Sequence, residues 1–433
     1  MSMASDGFRG PEVAGRASVD DLAPAALYAP ADEGEAADLL RTAFRRGWAV
    51  VARGSGSQMP LGNPPARLDA VLSLARLSGV TEYTPEDLVV EAFAGTPLSD
   101  LEAVLRARGQ TLGLSAVAPM GTTLGGLVAT GAASPHRLGH GTPRDRVLGL
   151  SVVLADGTRV RTGGKVVKNV AGYDLTRLFV GSLGTLGVIA RAVVRVRPLP
   201  RRTALAILRT EAGPPPSALL ALALDRALDP VGPAAAELVD PALAHRLGVA
   251  AEAWALLLAL EGDEAEVAER LRRARALADR RGAAIEVREG AEGEAVWEAL
   301  CHALPSEAGV QARLSVRRRA LAQLTEVLAD VPWPEPWRAW MSVGLGTGVV
   351  RLWLAAGGPA VADDLVLEAP LAALRRAAQA GEGALVLERA SPALRRRMDA
   401  WGPARGDVAL MRALKDRLDP RAVLAPGRFV GGI

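Results

Sequence analysis

The fold is decided by the stretch Lys168-Asn-Val-Ala-Gly-Tyr-Asp-Leu-Thr-Arg-Leu-Phe-Val-Gly-Ser-Leu-Gly-Thr-Leu-Gly-Val-Ile189. Its pattern predicts an irregular loop up to residue 174, a short helix at 175–180 and a glycine-rich loop at 181–187. The apolar run that follows predicts a β-strand at 188–197, which ends before Pro198. Because glycine allows backbone conformations that other residues avoid, such a loop lets the chain turn close to a ligand.

Two further glycine-rich loops precede this one. A predicted strand at 48–53 runs into Gly54-Ser-Gly-Ser57, and Pro119-Met-Gly-Thr-Thr-Leu-Gly-Gly126 leads into a run of small residues. A strand that ends in glycines and small hydroxyl residues is a candidate phosphate cradle, since consecutive N–H groups can point at one anion. Gly-Ser-Gly alone is also an ordinary loop. Three such loops separated by β elements argue against a Rossmann unit, in which one glycine motif opens a helix.

Periodicity places the other elements of this region. An amphipathic helix is predicted at 33–46 and another at 98–108, and short strands are predicted at 68–74 and 88–94. A β-hairpin is predicted at 148–161, with Asp156 and Gly157 as the two positive-φ positions of a tight turn.

The order of these motifs resembles the vanillyl-alcohol-oxidase superfamily of flavoproteins with a PCMH-type FAD-binding domain. The family pattern is a strand with R-G-x-G-x, then P-x-G-T-x-G-G, K-N-V-A-G-Y-D-L and G-S-x-G-T-L-G-V-I, and it covers residues 25–200 here. Within the superfamily the chain resembles the E subunits of bacterial glycolate oxidases. Residues 411–428 are similar to the family ending K-x-x-x-D-P-x-x-I-x-N-P-G-R, with Ala425 in place of the asparagine, which implies a lost polar contact and a weakened active centre.

The resemblance implies an α+β fold. Its PCMH-type FAD-binding domain would consist of two α/β subdomains, with an α+β cap domain inserted before a C-terminal return segment. The expected boundaries are a mobile tail at 1–25, the FAD-binding domain at 26–200, the cap at 201–405 and the return segment at 406–433.

The resemblance also implies which residues bind FAD. Backbone groups of the first two loops would bind the diphosphate without an arginine clamp, and the strand after the third loop would hold the adenine end. The alternative is that these glycines serve turns only. The residues so assigned are Arg53, Gly54, Ser55, Gly56, Ser57, Gln58, Pro119, Met120, Gly121, Thr122, Thr123, Gly125, Gly126, Thr130, Thr185, Gly187, Val188 and Ile189.

Neither a covalent flavin link nor a metal site is expected. Family members with covalent flavin carry a histidine just after the R-G-x-G turn, whereas Ser57-Gln58-Met59 stands here, so the FAD should be non-covalent. Related 2-hydroxyacid dehydrogenases resemble one another in a histidine-rich cap with an H-x-G-D-G-N-type signature. Of the four histidines, the i,i+4 pair His136 and His140 lies among glycines that should break a helical metal pair, and the catalytic residues stay unassigned. The other two, His245 and His302, are expected to be packing or surface residues.

Composition excludes several other classes of protein. The 51 basic and 48 acidic residues leave a net charge of +3, and no basic cluster with stacking aromatics marks a nucleic-acid surface. No run approaches the roughly 20 apolar residues of a membrane span, and no signal peptide is apparent, so a cytoplasmic location is expected, with attachment to the inner membrane only through partners. A single cysteine, Cys301, excludes a four-thiolate iron–sulfur cluster within the chain.

Lysine is rare in this sequence. The 51 basic residues include only Lys165, Lys168 and Lys415 as lysines, and the rest are arginines. The first two lie three residues apart before Asn169, and we expect a compact ammonium group to be required there, with two solvated charges as the alternative.

Three functions are compatible with these features. The resemblance implies an FAD-binding subunit of a glycolate oxidase, which oxidises glycolate to glyoxylate with a related catalytic flavoprotein subunit and an iron–sulfur subunit. The first alternative is a free-standing FAD-dependent 2-hydroxyacid dehydrogenase of the D-lactate type. The second is a flavin-binding structural subunit without a redox role.

Overall fold

The computed structural model describes residues 17–115, 117, 121–165, 173–210, 213–224, 228–249, 252–303, 309–357, 363–404 and 406–433. The strands in this part of the chain are Ala26–Tyr28 (β1), Val50–Arg53 (β2), Ala70–Ser73 (β3), Val80–Thr84 (β4), Val89–Phe93 (β5), Gln110–Thr111 (β6), Val147–Val153 (β7), Arg159–Gly163 (β8), Val188–Arg195 (β9), Arg197–Pro198 (β10), Arg202–Arg209 (β11), Ala235–Val239 (β12), Ala255–Gly262 (β13), Ala284–Glu289 (β14), Val310–Ser315 (β15), Trp337–Gly344 (β16), Val349–Ala356 (β17) and Ala384–Arg389 (β18).

The α-helices in the described part of the chain differ widely in length. They are Glu33–Arg46 (α1), Leu98–Arg106 (α2), Leu124–Thr130 (α3), Arg137–His140 (α4), Pro143–Arg146 (α5), Thr176–Phe179 (α6), Ser217–Leu220 (α7), Pro241–Arg246 (α8), Glu264–Arg281 (α9), Ala291–Glu298 (α10), Leu321–Ala329 (α11), Glu368–Ala380 (α12), Pro392–Met398 (α13) and Val408–Leu418 (α14).

The chain divides into two compact units. The first unit comprises Met1–Ala132, Thr142–Leu199 and Pro403–Ile433. The second comprises Ala133–Gly141 and Pro200–Gly402. The predicted boundaries did not separate residues 133–141 from the first domain, because nothing in that short segment marks a change of composition.

The first unit is built on two main sheets. A parallel sheet has the strand order β1-β3-β2, and an antiparallel sheet has the order β4-β5-β9-β7-β8. Helix α1 covers the core with its apolar stripe, and Asp32 caps its start by accepting a hydrogen bond from the Glu35 N–H at 2.9 Å. The helix begins and ends where the sequence predicts. The strands predicted at 48–53, 68–74 and 88–94 are correct in type but shorter, since their outer residues belong to the connecting loops. The hairpin predicted at 148–161 extends over 147–163, and the strand predicted at 188–197 is divided into β9 and β10.

The hairpin turn between β7 and β8 differs from the prediction. Gly157 has a φ of 84°, but Asp156 is absent from the positive-φ residues. The Leu154 N–H donates to Thr158 O at 2.9 Å, and the Thr158 N–H donates to the Asp156 carboxylate at 2.8 Å. The aspartate therefore caps the turn with its side chain, and only the glycine takes the left-handed conformation.

The C-terminal segment of the first unit adds to the parallel sheet. Leu424 forms a parallel bridge with Val50 of β2. The Val50 N–H donates to Val423 O at 2.7 Å, and the Ala425 N–H donates to Val50 O at 2.9 Å. Strand β2 leads directly into the first glycine-rich loop, so the C-terminal segment pairs with the strand that positions that loop.

A buried lysine holds this segment in place. The Lys415 ammonium on α14 is 5% exposed and donates to Thr185 O at 2.8 Å, Leu424 O at 2.8 Å and the Asp419 carboxylate at 2.6 Å. Asp419 in turn accepts from the Val423 N–H at 2.9 Å and the Leu424 N–H at 2.7 Å. Burial lowers the pKa of Lys415, and the charge of Asp419 opposes that shift. Three ammonium donors thus meet three acceptors.

The second unit is one antiparallel sheet with helices against it. The sheet order is β14-β11-β13-β12-β16-β17-β15-β18. One face forms an apolar core with residues of α9, α11 and α12, among them Leu271, Leu324 and Leu371. Helix α9 opens with a capping box between Asp263 and Glu266.

Replacing Lys415 should destabilise the first unit. Lys415→Met leaves the Asp419 charge buried without its cation, and we expect the unfolding free energy to fall by about 3–5 kcal/mol. Arg417→Met, an exposed change on the same helix, should alter it by less than about 0.5 kcal/mol. Urea unfolding followed by circular dichroism measures both, and equal midpoints for the two variants would contradict this account.

Candidate functional site

An open groove in the first unit brings the glycine-rich loops and the C-terminal segment together. The space between its walls, including the solvent at its open side, is about 510 Å³. The lining residues are Val51, Ala52, Gly54, Ser55, Gly56, Ser57, Gln58, Met59, Thr123, Gly126, Ala129, Thr130, Leu183 and Arg428.

The first loop lies along this groove directly after β2. Gly56 has a φ of 91°, and a Cβ there would lie 2.7 Å from Nε of Arg53, so only glycine fits this turn. Within the described part of the chain, the N–H groups of Ser55 and Gly56 have no hydrogen-bond acceptor. Backbone donors without a partner, on a loop that turns through glycine, are the groups that bind a phosphate.

The second loop is joined to the first by its hydroxyl residues. The hydroxyls of Thr122 and Ser57 are 3.1 Å apart. Thr123 caps α3 by accepting from the Gly126 N–H at 3.2 Å, and a Cβ on Gly54 would lie 2.3 Å from the Thr123 hydroxyl. The two loops can approach this closely because Gly54 has no side chain.

The first backbone N–H groups of α3 already donate hydrogen bonds within the protein. The Leu124 N–H donates to Thr96 O at 2.9 Å, and the Gly125 N–H donates to Ala94 O at 2.7 Å. An anion in the groove therefore meets the first loop rather than the start of α3. Thr130, at the end of α3, donates to Gly126 O at 2.8 Å and reaches the groove from its far side.

The third loop contributes one residue to the groove wall. Leu183 lines the groove with a φ of 53°, and its N–H donates to Ala129 O at 2.8 Å. Thr185 is fully buried, and its hydroxyl donates to Ser182 O at 2.7 Å. The remaining assigned residues of this region, Gly187, Val188 and Ile189, lie in the core against β7.

The structure thus brings part of the predicted set together. Eight assigned residues line the groove, namely Gly54, Ser55, Gly56, Ser57, Gln58, Thr123, Gly126 and Thr130. Those that it places beside the groove or in the core are Arg53, Gly121, Thr122, Gly125, Thr185, Gly187, Val188 and Ile189. Pro119 and Met120 lie outside the described residues.

Six lining residues were not predicted: Val51, Ala52, Met59, Ala129, Leu183 and Arg428. For Arg428 a signal was present, since it ends the Pro-Gly-Arg motif of the C-terminal segment. Its guanidinium donates to Met59 O at 2.6 Å and to Leu61 O at 2.8 Å, and it lies 3.6 Å from the Asp20 carboxylate. The arginine therefore fixes the chain that follows the first loop and places a buried positive charge in the wall.

The groove has the chemistry that a dinucleotide diphosphate requires. Its wall holds backbone donors, small hydroxyls and the Arg428 cation. The Gln58 side-chain nitrogen is buried without a hydrogen-bond partner among the described residues. A buried amide without a partner is costly, and an acceptor oxygen of a bound ligand would satisfy it. The residues present therefore fit FAD.

Ala425 has a structural role that the sequence did not reveal. Its φ is 44°, and it is 2% exposed beside Val51 and Val71. Asparagine tolerates the left-handed region better than alanine, so a backbone preference is sufficient to explain asparagine in the family pattern. The expectation of a weakened active centre therefore does not follow from this position alone.

The paired histidines lie in the second unit. Residues 137–140 form one helical turn, so the prediction that the glycines prevent a helical pair is wrong. The rings of His136 and His140 are 5.4 Å apart, and Nε2 of His140 lies 2.9 Å from the Glu261 carboxylate. Among the described residues no group of three or more His, Cys, Asp or Glu side chains is placed to hold a metal ion.

The other two histidines and the cysteine offer no reactive group. His245 is exposed on α8, and His302 is half-buried. Cys301 is buried, and burial raises the pKa of its thiol to about 12. A thiol with that pKa stays protonated near neutral pH.

Comparison with known proteins identifies the domain that contains the first two loops. Residues 24–163 match the family model described as "FAD binding domain". These residues form an FAD-binding domain. FAD is the cofactor of this domain, and the predicted family resemblance is confirmed. The first two loops lie within the matched residues, whereas the third loop at 181–187 and the groove residue Arg428 lie outside them.

Curated relatives of the FAD-binding domain include two glycolate oxidase subunits. The chain is 42% identical to glycolate oxidase subunit GlcE of Escherichia coli over 159 residues, which are 35% of this chain and 43% of that protein. It is 36% identical to glycolate oxidase subunit GlcD of Bacillus subtilis over 186 residues, 42% of this chain and 40% of that protein. These matches span less than half the length of either relative.

Other comparisons extend over nearly the whole chain. A D-2-hydroxyglutarate dehydrogenase of Xanthomonas citri is 26% identical over 94% of this chain and 89% of that protein. The structure of 4-ethylphenol oxidase from Gulosibacter chungangensis matches with a TM-score of 0.72 at 18% identity, covering 98% of this chain and 94% of that chain. The likeness to this solved structure concerns the fold, and the predicted α+β class is confirmed. No described helix is long and apolar enough to cross a membrane.

A charge at Gly56 should remove the cofactor from the FAD-binding domain. Gly56→Asp puts a carboxylate beside the diphosphate and a Cβ against Arg53, and we expect FAD affinity to fall by at least about a hundredfold. Gly109→Asp is the matched control, since Gly109 also has a positive φ, 66°, but has open space around it and lies outside the groove. Flavin absorbance of the purified variants measures occupancy, and normal FAD content in Gly56→Asp would place the diphosphate elsewhere.

Proposed function

We propose that this chain is the FAD-binding subunit of a glycolate oxidase complex. In this proposal it oxidises glycolate to glyoxylate together with a related catalytic flavoprotein subunit and an iron–sulfur subunit. The complex is cytoplasmic, and only its partners attach it to the inner membrane. The observation that carries the proposal is the groove of the first unit, with its unpartnered donors on the first loop, in a domain 42% identical to part of a glycolate oxidase subunit.

The groove supplies the cofactor site of the proposed subunit. Ser55 and Gly56 would donate their N–H groups to the diphosphate, and Gln58 would donate its side-chain amide. Bound FAD supplies a two-electron acceptor for the hydride of a 2-hydroxy acid. Arg428 and Lys415 do not act on the substrate. They keep the loops in the shape that binds the cofactor.

Dependence on partners is supported by the side chains outside the groove. Of the four histidines, His136 and His140 lie beside Glu261, one other is exposed and one is half-buried. This arrangement differs from the histidine-rich cap of related 2-hydroxyacid dehydrogenases. The single cysteine means that a cluster with four cysteine ligands must lie in another subunit. Electrons from FAD in this chain therefore leave to a partner.

A free-standing 2-hydroxyacid dehydrogenase is the second candidate. It is favoured by the match to D-2-hydroxyglutarate dehydrogenase, which covers 94% of this chain, although at 26% identity. The two functions differ in whether the purified chain turns over alone. A structural subunit without redox role differs from both, because its FAD would stay oxidised while the complex turns over.

Turnover should require the complex. We expect the purified FAD-loaded chain to reduce a dye acceptor with neither glycolate nor D-lactate, and the co-purified complex to oxidise glycolate. In the complex, Gly56→Asp should abolish turnover while Gly109→Asp retains it, because only the first variant loses FAD. Turnover by the chain alone would establish the second candidate, and full activity of a complex that carries Gly56→Asp would leave this FAD without a redox role.

The FAD itself should dissociate under denaturing conditions. No histidine follows the R-G-x-G turn, where Ser57-Gln58-Met59 stands, so no covalent bond is expected. Acid precipitation should therefore release essentially all flavin into the supernatant, where its absorbance is measured. A yellow pellet after repeated washing would show a covalent link and refute this expectation.

A further inference from the structure

Four arginines lie together at the end of α1 in the first unit. Arg45 and Arg46 are in the last turn of this helix. Arg67 lies shortly before β3, and Arg421 lies shortly before the residues of the C-terminal segment that pair with β2. All four residues are exposed. We name them the arginine patch.

Hydrogen bonds from two of the arginines bring the patch together. The Arg421 guanidinium donates to the carbonyl oxygens of Phe44 at 2.9 Å and Arg45 at 3.2 Å. The Arg67 guanidinium donates to the carbonyl oxygen of Gly47, which caps the helix, at 2.8 Å. Both side chains therefore end at the last carbonyl groups of α1, beside the two arginines of its last turn.

Aromatic rings hold two of the guanidinium groups. Cζ of Arg46 lies 4.8 Å from the centroid of the Trp48 ring, and Cζ of Arg421 lies 5.0 Å from the centroid of the Phe44 ring. A guanidinium over an aromatic face is attracted by the quadrupole of the ring. Together with the hydrogen bonds of Arg67, these contacts give three of the four guanidinium groups defined positions in the protein.

No carboxylate in the described part of the chain forms an ion pair with the arginine patch. The neighbouring carboxylates are bound elsewhere, since Asp38 pairs with Arg41 and Asp69 accepts from the Ala49 N–H at 2.6 Å. The negative end of a helix macrodipole amounts to about half a charge, which is far less than four positive charges. The helix end therefore explains why arginine is favoured there, and most of the positive charge remains available to a ligand.

The arginine patch and the cofactor groove lie at opposite ends of β2. Strands β2 and β3 are parallel, and each begins a few residues after a member of the patch, Arg46 and Arg67 respectively. The other end of β2 leads into the first loop, which lines the groove. Four residues of strand separate the two ends by about 13 Å. A partner bound to the patch would therefore leave the groove open to FAD.

We propose that the arginine patch binds a partner subunit of the complex through carboxylates on an acidic surface of that subunit. This proposal rests on the proposed function, because it requires a partner. Guanidinium groups at defined positions form paired, charge-assisted hydrogen bonds with carboxylates and lose little freedom on binding. The rings of Phe44 and Trp48 are partly buried, and each carries a guanidinium on one face, so they are poorly placed to stack on bases or to enter a lipid layer.

Charge reversal in the full FAD-loaded chain tests the proposal. Arg45→Glu combined with Arg46→Glu reverses two charges and leaves the carbonyl contacts of the other two arginines in place. Partner subunits purified from the complex are titrated against the immobilised chain, and their affinity should fall at least about tenfold. Arg108→Glu combined with Arg161→Glu, two exposed arginines on other elements of the same unit, should change it by less than about twofold. FAD content and the unfolding midpoint establish that each variant is folded.

A variant that keeps the charge identifies the chemical groups on the partner. The chain has only three lysines, and Lys415 is buried, so few amines compete in a cross-linking reaction. Arg46→Lys places an amine in the arginine patch, and a carbodiimide joins an amine directly to an adjacent carboxylate. Mass spectrometry of the treated complex should show a link between position 46 and an aspartate or glutamate of the partner subunit. Arg108→Lys, the control, should give no link at position 108.

Three results would overturn the proposal. One is equal partner affinity for the unchanged chain and the charge-reversed variant, and another is the absence of a link at position 46 in the assembled complex. The third is binding of the unchanged chain, but not of the charge-reversed variant, to phosphatidylglycerol vesicles or to a single-stranded oligonucleotide. Failure of the proposed function is a separate result, because a complex that assembles through the patch can fail to oxidise glycolate. A chain that co-purifies with no partner would contradict both.

Discussion

Two buried cations near the C-terminus determine the shape of the cofactor groove. Lys415 bonds the carbonyl of Thr185 in the third loop, and Arg428 bonds the carbonyls of Met59 and Leu61 beyond the first loop. Each of these carbonyls is more than 200 residues away in sequence from the cation that bonds it. A buried cation needs acceptors for its donors, so these carbonyls must stay within hydrogen-bond distance of the two cations. The loops therefore depend on the C-terminal segment for their positions.

The same constraint explains how the groove can rely on backbone groups. A loop that binds an anion through its backbone N–H groups must keep those groups unpaired while the ligand is absent. Unpaired N–H groups are costly, so the free loop would adopt another conformation unless contacts with the rest of the protein hold it. Among the described residues the N–H groups of Ser55 and Gly56 are unpaired. Before them, β2 pairs with the C-terminal segment, and after them, Arg428 holds residues 59–61. The C-terminal segment therefore holds the chain on both sides of the first loop.

The sequence predicted local features well and distant ones poorly. The helix at 33–46 was correct because its apolar spacing lies within the segment and its capping residue directly precedes it. The first loop was predicted to bind the diphosphate, and the structure places residues 54–58 along the groove, because the turn through Gly56 is set by residues within the loop. Thr185, Val188 and Ile189 were assigned by resemblance, yet their side chains are buried in the core, since a motif does not distinguish a loop that touches the ligand from the strand that supports it.

Other features could not be predicted because they depend on distant contacts. Lysine scarcity pointed to Lys165 and Lys168, whereas the structure shows the compact ammonium at Lys415, whose three acceptors come from three parts of the chain. Lys165 is exposed beside Glu82, and Lys168 lies outside the described residues. Likewise Glu237 and Arg351 are brought near each other only by the pairing of β12, β16 and β17.

We expect the backbone amides of the first loop to bind the FAD diphosphate. Hydrogen–deuterium exchange of the full chain with and without FAD tests this binding, because it reports on individual backbone N–H groups. FAD should strongly slow exchange at residues 54–58, with little change at the already protected strand Val188–Arg195. Unchanged exchange at residues 54–58 in FAD-saturated protein would contradict it.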